Sequence, residues 1–248
     1  MPERQASSFL SVVVPAYNEQ RLLMATLDSV TEYLDQQDYT WDVTVVDDGS
    51  SDETSAIVRD RSSTSSGVRL LQYLPNRGKG YAVRYGMQRV NGAWRLFMDA
   101  DNSTSIEHLD EVLPLMDENW DIVIGSRRTT GARTVVHQPW WKETLGDLGG
   151  LWIRTIALPE ILDSQAGFKI FRSDVVERIF PLLTLDRWAF DVELLAVARH
   201  FGYRIHEIPI QWFDDPHSKV TSASYLQALL DVVRVRRNLK RGVYDLPD

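Results

Sequence analysis

Short apolar runs alternate with amphipathic stretches through the first half of the chain. Leu10–Val14 is a β-rich run that stops at Pro15, and a helical pattern follows from Glu19 to Asp35. Val43–Val46, Val68–Tyr73, Trp94–Met98 and Ile122–Ile124 repeat the first kind of segment. Residues 52–61 and Gly78–Val90 repeat the second, and the Ser/Thr-rich stretch Ser62–Gly67 reads as a surface loop. Apolar runs spaced by helices predict an α/β fold of βαβ units, with a Rossmann-like, mostly parallel central sheet. Such a sheet carries helices on both faces, which is why its strands are continuously apolar and not alternating.

The pattern loosens in the second half. Thr129–Trp141 reads as a loop. Trp141, Leu145, Leu148, Trp152 and Ile156 then recur at helical spacing, although Gly146, Gly149 and Gly150 would each weaken a helix by about 1 kcal/mol relative to Ala. Phe168–Phe171 reads as a strand, Ser173 as the N-cap of the next helix, Phe190–Phe201 as a helix and Arg204–Ile208 as the last strand. In the final helix, Ser222–Arg241, one face carries Leu226, Leu229, Leu230 and Val233 and continues into Arg237, Lys240 and Arg241. The expectation is that its apolar half docks on the domain while its basic half projects beyond. That basic end suits an anionic membrane surface, the plainer alternative being compensation of the helix dipole. Trp140, Trp141, Leu145, Leu148, Leu151 and Trp152 suit either a membrane interface or the domain interior.

Composition narrows the function classes. The 248 residues, 44% hydrophobic and 25% charged, suit one large domain with a core of ordinary size. A net charge of −8 argues against a nucleic-acid surface. The absence of cysteine excludes disulfides and thiolate metal sites but leaves open a hard cation bound by oxygen. The N-terminal MPERQASSFL lacks the pattern of a signal peptide, and no apolar run is long enough to span a bilayer. The expected location is cytoplasmic, peripheral at the cytoplasmic face of a membrane.

Ligands of parallel sheets bind at the carboxyl ends of the strands, and four polar clusters fall there. They are Tyr17-Asn18-Glu19, Asp47-Asp48, Asn76-Arg77 and Asp99-Ala100-Asp101. Residues two apart on an extended segment point the same way, so Asp99 and Asp101 can converge on one divalent ion, which would stabilise a departing diphosphate. A helix cap is the plainer role for the same residues. Asp47 can meet a ribose hydroxyl or a base N–H, with Asp48-Gly49 forming the turn. Asn76-Arg77-Gly78-Lys79-Gly80 opens a helix with glycines and two cations, a plausible anion site. It matches neither the dinucleotide fingerprint nor the P-loop.

Taken together, Val14-Pro15-Ala16-Tyr17-Asn18-Glu19, Val46-Asp47-Asp48-Gly49-Ser50-Ser51-Asp52, Asn76-Arg77-Gly78-Lys79-Gly80 and Asp99-Ala100-Asp101 resemble the ordered motifs of glycosyltransferase family 2, which has the GT-A fold. Gly125-Ser126-Arg127, residues 165–169, Arg187-Trp188-Ala189-Phe190-Asp191 and His217-Ser218-Lys219 extend the resemblance to the polyprenyl-phosphate sugar synthases. Within that group the dolichyl-phosphate β-glucosyltransferases are more similar than the mannose synthases. The resemblance implies a single GT-A domain over residues 1–248. Residues 9–127 would form its nucleotide-sugar-binding half, 128–220 its acceptor-side half and 221–241 a basic amphipathic helix.

It also implies an inverting, metal-dependent hexosyltransferase. Pro15, Tyr17, Glu19 and Asp47 would contact the nucleoside, and Lys79 would belong to the donor site. Asp99 and Asp101 would hold Mg²⁺ or Mn²⁺, with Ser103 at the position of a third ligand. Arg127 and Lys219 would face donor or acceptor phosphate. Asp191 is either a general base or a partner that orients Arg187, because a lipid phosphate acceptor is already an anion and needs no base. The expected partners are a nucleotide sugar, UDP-glucose or GDP-mannose, and a polyprenyl phosphate lipid. The expected reaction is transfer of glucose from UDP-glucose to that lipid. The alternatives are GDP-mannose as donor, or a saccharide hydroxyl as acceptor with Asp191 as base.

Overall fold

The computed structural model of the chain describes residues 8–135, 140–213 and 222–245. In chain order the elements are β1 (Leu10–Ala16), α1 (Leu23–Leu34), β2 (Trp41–Asp47), α2 (Thr54–Thr64), β3 (Val68–Gln72), α3 (Lys79–Met87), β4 (Trp94–Met98), α4 (Leu109–Met116) and β5 (Ile122–Ser126). They continue as β6 (Arg133–Thr134), α5 (Trp140–Ile156), β7 (Phe168–Arg172), α6 (Ser173–Ile179), α7 (Phe190–His200), β8 (Ile205–Pro209), β9 (Gln211–Trp212) and α8 (Ser222–Lys240). The expected alternation of strand and helix is what forms. The expected loop after residue 128 contains β6, which pairs with β9 in a two-stranded sheet. The glycines of α5 do not prevent a helix.

The main sheet has seven strands in the order β3-β2-β1-β4-β7-β5-β8. Its strands bury both faces. Val13 packs with Ala82, Val83 and Met87 of α3 on one side. Its neighbours Val12 and Val14 pack with Leu23 and Leu27 of α1 on the other. The chain leaves β1 in one direction for β2 and β3, then returns to its other edge as β4. That reversal opens a crevice at the carboxyl ends of β1, β2 and β4.

One strand runs against the others. β7 is antiparallel to both β4 and β5, with Phe168 opposite Met98 and Lys169 opposite both Phe97 and Ile124. Its first residues therefore sit beside the last residues of β4, which carries residues 166–169 to the mouth of the crevice. α6 begins at Ser173, so Arg172 takes the cap position with no side-chain cap, and the expected capping role of Ser173 is not realised.

The last helix also departs from expectation. Val232 and Val235 are buried, and they join the core with the partly buried Ala228 and Leu239. Leu226, Leu230 and Val233 are 60%, 58% and 43% exposed, so the face expected to dock faces outward. Both stripes are apolar at helical spacing, and packing against α7 selected the second. Leu148, Leu151 and Trp152 of the adjoining α5 are exposed too, and Trp152 donates its indole N–H to the Leu229 carbonyl at 3.3 Å. No helix among the described residues is long and apolar enough to cross a membrane.

Candidate active site

The ends of β1 and β2 are laced together by their own loops. Pro15 is half-buried opposite Val46, and Tyr17 just beyond it is exposed. Asn18 adopts a left-handed conformation at φ 53; its N–H donates to Ser50 Oγ at 2.9 Å, and its side-chain oxygen accepts from the Ser51 N–H at 2.8 Å. The Glu19 N–H donates to Thr54 Oγ1 at 2.8 Å. Asp47 is fully buried. It accepts from the Ser50 N–H at 2.8 Å, from Gln72 Nε2 at 3.0 Å and from the Ser55 hydroxyl.

Asp48, read from the sequence as a turn residue, is a latch. Its carboxylate accepts from the N–H groups of Arg77 and Gly78 at 2.7 and 2.8 Å and from Asn76 Nδ2 at 2.7 Å. Two N–H groups expected to cradle an external anion thus already bind an internal one. The latch depends on Gly78, whose φ of 106° lies in the left-handed region where a side chain is strained. Lys79 is left on the first turn of α3 with its side chain directed at β4.

At the end of β4 the partners change in kind. Lys79 Nζ lies 2.5 Å from Asp99 Oδ1. Gly167, at the start of β7, accepts the Asp99 N–H on its carbonyl at 3.0 Å, and a Cβ there would overlap the Asp99 carboxylate. Asp101 accepts the Ser103 N–H at 2.9 Å. Burial and the neighbouring Asp99 hold the Asp101 carboxyl above its ordinary pKa, against the pull of Ser103 and Lys79. Burial works against the Lys79 charge, yet Asp99, Asp191 and Asp101 outweigh it and hold the ammonium above its ordinary value.

Two further ion pairs border this corner. Lys169 is fully buried and donates to Asp191 at 2.7 Å and to the Ala166 carbonyl at 2.5 Å. Burial pushes the Asp191 carboxyl up despite Lys169 and Lys79. Arg127 forms a bidentate pair with Asp163 at 2.7 and 3.0 Å, reinforced by its backbone N–H at 3.0 Å. Burial opposes ionisation of Asp163, but Arg127 prevails and holds its pKa at about 2. Glu207 on β8 in turn accepts the N–H groups of Leu162 and Asp163 at 2.8 and 3.0 Å.

Lys79, Asp99, Asp101, Arg127 and Asp191 therefore share one electrostatic environment. Arg187 stands apart: it is exposed, its Cγ against Gly78, and it does not pair with Asp191. Lys219 lies outside the described residues. Sequence reading missed Asp163, Glu207 and the partnership of Lys169. Asp163 lies 36 residues from Arg127 with no motif joining them, and only the sheet brings them together.

The corner fits a hard divalent cation. Asp99 and Asp101 are oxygen donors two residues apart at the end of β4, and Asp99 already holds a cation in the Lys79 ammonium. No group of three or more His, Asp or Glu side chains with metal-binding geometry occurs among the described residues. Two protein carboxylates plus phosphate oxygens and water suit Mg²⁺ or Mn²⁺ better than an all-protein cage. Such an ion would act as a Lewis acid on the leaving diphosphate.

Comparison with known proteins supplies a context for this geometry. The family model described as glycosyl transferase family 2 matches residues 11–180. A dolichyl-phosphate β-glucosyltransferase of Dictyostelium discoideum is 33% identical over 251 residues, covering 96% of this chain and 77% of the relative. The human enzyme of that name is 32% identical, covering 96% and 78%, and that of Saccharomyces cerevisiae 30%, covering 95% and 76%. Among solved structures, glucosyl-3-phosphoglycerate synthase of Mycobacterium tuberculosis in complex with Mn²⁺, UDP-glucose and phosphoglyceric acid superposes with a TM-score of 0.67 at 16% identity, covering 97% of this chain and 81% of that one. TarS of Staphylococcus aureus in complex with UDP-GlcNAc gives 0.58 at 21% identity, covering 92% and 66%. These structural likenesses speak to the fold.

Proposed function

The chain belongs to glycosyl transferase family 2 and is a glycosyltransferase of GT-A fold, and from that membership we propose that it moves glucose from UDP-glucose to a polyprenyl phosphate. An acceptor phosphate oxygen attacks the anomeric carbon as the bond from that carbon to the diphosphate breaks. UDP leaves, and an α-linked donor becomes a β-linked lipid phosphate sugar. The similarity to dolichyl-phosphate β-glucosyltransferases over nearly the whole chain supports both donor and acceptor.

The observation that carries the choice of a phosphate acceptor is the Lys169–Asp191 pair. Asp191 is 5% exposed, and one of its oxygens is committed to a buried ammonium. An acceptor hydroxyl needs a base free to take its proton, whereas a phosphate arrives ionised. In this reading Pro15, Tyr17, Glu19 and Asp47 border the nucleoside, Asp99 and Asp101 hold the metal, and Arg127 and Lys219 receive phosphate charge. Arg127 is preorganised by Asp163, so it need not be ordered when substrate binds. Ser103 reaches the metal site with its hydroxyl or only closes the Asp101 turn.

The lipid substrate calls for contact with a bilayer at its cytoplasmic face. The outward stripe of α8, Leu226, Leu230 and Val233, continues along the same face into Arg237 and Lys240, which suits an anionic headgroup layer beneath an apolar wedge. Flotation with anionic vesicles should capture the protein, and Leu226→Ser with Leu230→Ser should abolish capture without lowering the melting temperature.

A donor panel tests the reaction. With short-chain polyprenyl phosphate and Mg²⁺ or Mn²⁺, UDP-glucose should turn over and GDP-mannose should not, and both should be idle toward transfer without lipid. Glucose transfer to a saccharide without lipid would overturn the reading. So would an Asp191→Asn variant that retains donor binding and fold but loses nearly all turnover, since that is the behaviour of a general base.

A further inference from the structure

The charge pattern around Asp99 does more than offer a metal site. Asp163 is taken by Arg127 and Asp191 by Lys169. Among the described residues Lys79 is the further cation of the cluster, and it faces the carboxylates Asp99 and Asp101. Its ammonium is at hydrogen-bond contact with Asp99 Oδ1, at 2.5 Å. A Mg²⁺ ion would take an Asp99 oxygen at roughly 2.1 Å, and an ammonium on the same carboxylate repels that ion and competes for its charge. Gly167 closes one side of the Asp99 carboxylate, whose other side is partly exposed.

Of the two partners, Lys79 has the longer and more flexible side chain. Its backbone is fixed, since Asp48 holds the N–H groups of Arg77 and Gly78 immediately before it. Its side chain is flexible and partly exposed. Once off Asp99, the ammonium finds the neighbouring Asp191 already engaged by the buried Lys169. A donor diphosphate would bring a larger negative charge to receive it.

We infer that Lys79 is a place-holder cation that blocks the metal corner until a nucleotide diphosphate draws it away, so that metal and donor bind cooperatively. This rests on the reading of Asp99 and Asp101 as metal ligands. It assigns Lys79 two successive partners: Asp99 in the free enzyme and the diphosphate in the complex. A coupling of this kind has a reciprocal signature, because each ligand must tighten the other by the same factor.

Mn²⁺ titrations, followed by loss of the free-ion electron paramagnetic resonance signal, test this without turnover. They compare the wild type with Lys79→Met, Lys79→Gln and Lys79→Arg, each with and without UDP and each checked for an unchanged melting temperature. Without UDP, the two uncharged variants should bind Mn²⁺ on the order of tenfold more tightly than the wild type, and Lys79→Arg should not. UDP should tighten Mn²⁺ binding strongly in the wild type and much less in the uncharged variants. Uncharged variants that bind Mn²⁺ no better than the wild type, with the UDP effect undiminished, would overturn the place-holder and leave the metal site standing. Absence of Mn²⁺ binding in every folded protein, even with UDP, would instead remove the metal reading and the place-holder with it.

Discussion

Two acidic pairs end the parallel strands on either side of β1, and they behave oppositely. At the end of β2, Asp47 and Asp48 accept hydrogen bonds from backbone N–H groups, Ser55, Gln72 and Asn76, all of them neutral donors. At the end of β4, Asp99 and Asp101 face each other and a lysine. The first pair is satisfied by the fold and stiffens it. The second has Lys79 as its contacting cation among the described residues, and two adjoining carboxylates against one contacting ammonium favour a further cation. An acidic pair is structural or ion-binding according to who supplies its partners, and composition alone does not distinguish the two.

The contrast can be broken from either side. The largest effect is expected at β4: Asp101→Asn should cut turnover on the order of 10²–10³-fold, the usual cost of losing one preorganised electrostatic contact. It should leave stability within about 1 kcal/mol, since the change relieves like-charge repulsion. Turnover assays and thermal melts on the same protein check both halves. An Asp101→Asn enzyme with wild-type turnover would reduce the pair to a turn.

At β2 the loss should appear as stability. Asp48→Ala strips three donors of their acceptor and should cost about 3 kcal/mol, lowering the melting temperature by about 6–12 °C. The 76–80 loop would loosen, which hydrogen exchange at Arg77 and Gly78 would register. Unchanged exchange there would mean that Asp48 is not the latch.

The smallest effect is expected beyond β4, at the Arg127–Asp163 pair after β5. Asp163 is depressed from 3.8 to about 2 by Arg127. Its contribution is fully present above the unfolded value and is lost as pH falls through about 4 to about 2. Over that window it should remove roughly 2–3 kcal/mol. Asp163→Asn should flatten that part of the acid-unfolding curve. If the variant keeps the wild-type slope, the Arg127 pair does not anchor this edge of the site.

Much of this architecture could be read from the chain. The apolar runs at residues 10–14, 43–46, 68–73 and 94–98 mark strands because both faces of a parallel sheet are dry. The motif at Asp99 and Asp101 is visible because its two residues are two apart on one segment. The direction of β7 was not visible, because an apolar strand looks alike in either orientation. The outward face of α8 was missed because two apolar stripes compete on one helix, and local periodicity does not rank them.

Legible in the chain alone were the strand-and-helix alternation of the first half, the polar clusters at strand ends and the family to which the chain belongs. These depend on local backbone preference and on short spacing, which a linear reading preserves. Tertiary structure decided the partners: Lys79 on Asp99, Lys169 beneath Asp191, Arg127 against Asp163 and Asp48 across the 76–80 loop. Those pairings arise from strand register and the antiparallel insertion of β7. They determine which carboxylates are satisfied and which still require a cation, because a charge's role follows from its distance to other charges and not from its position in the chain.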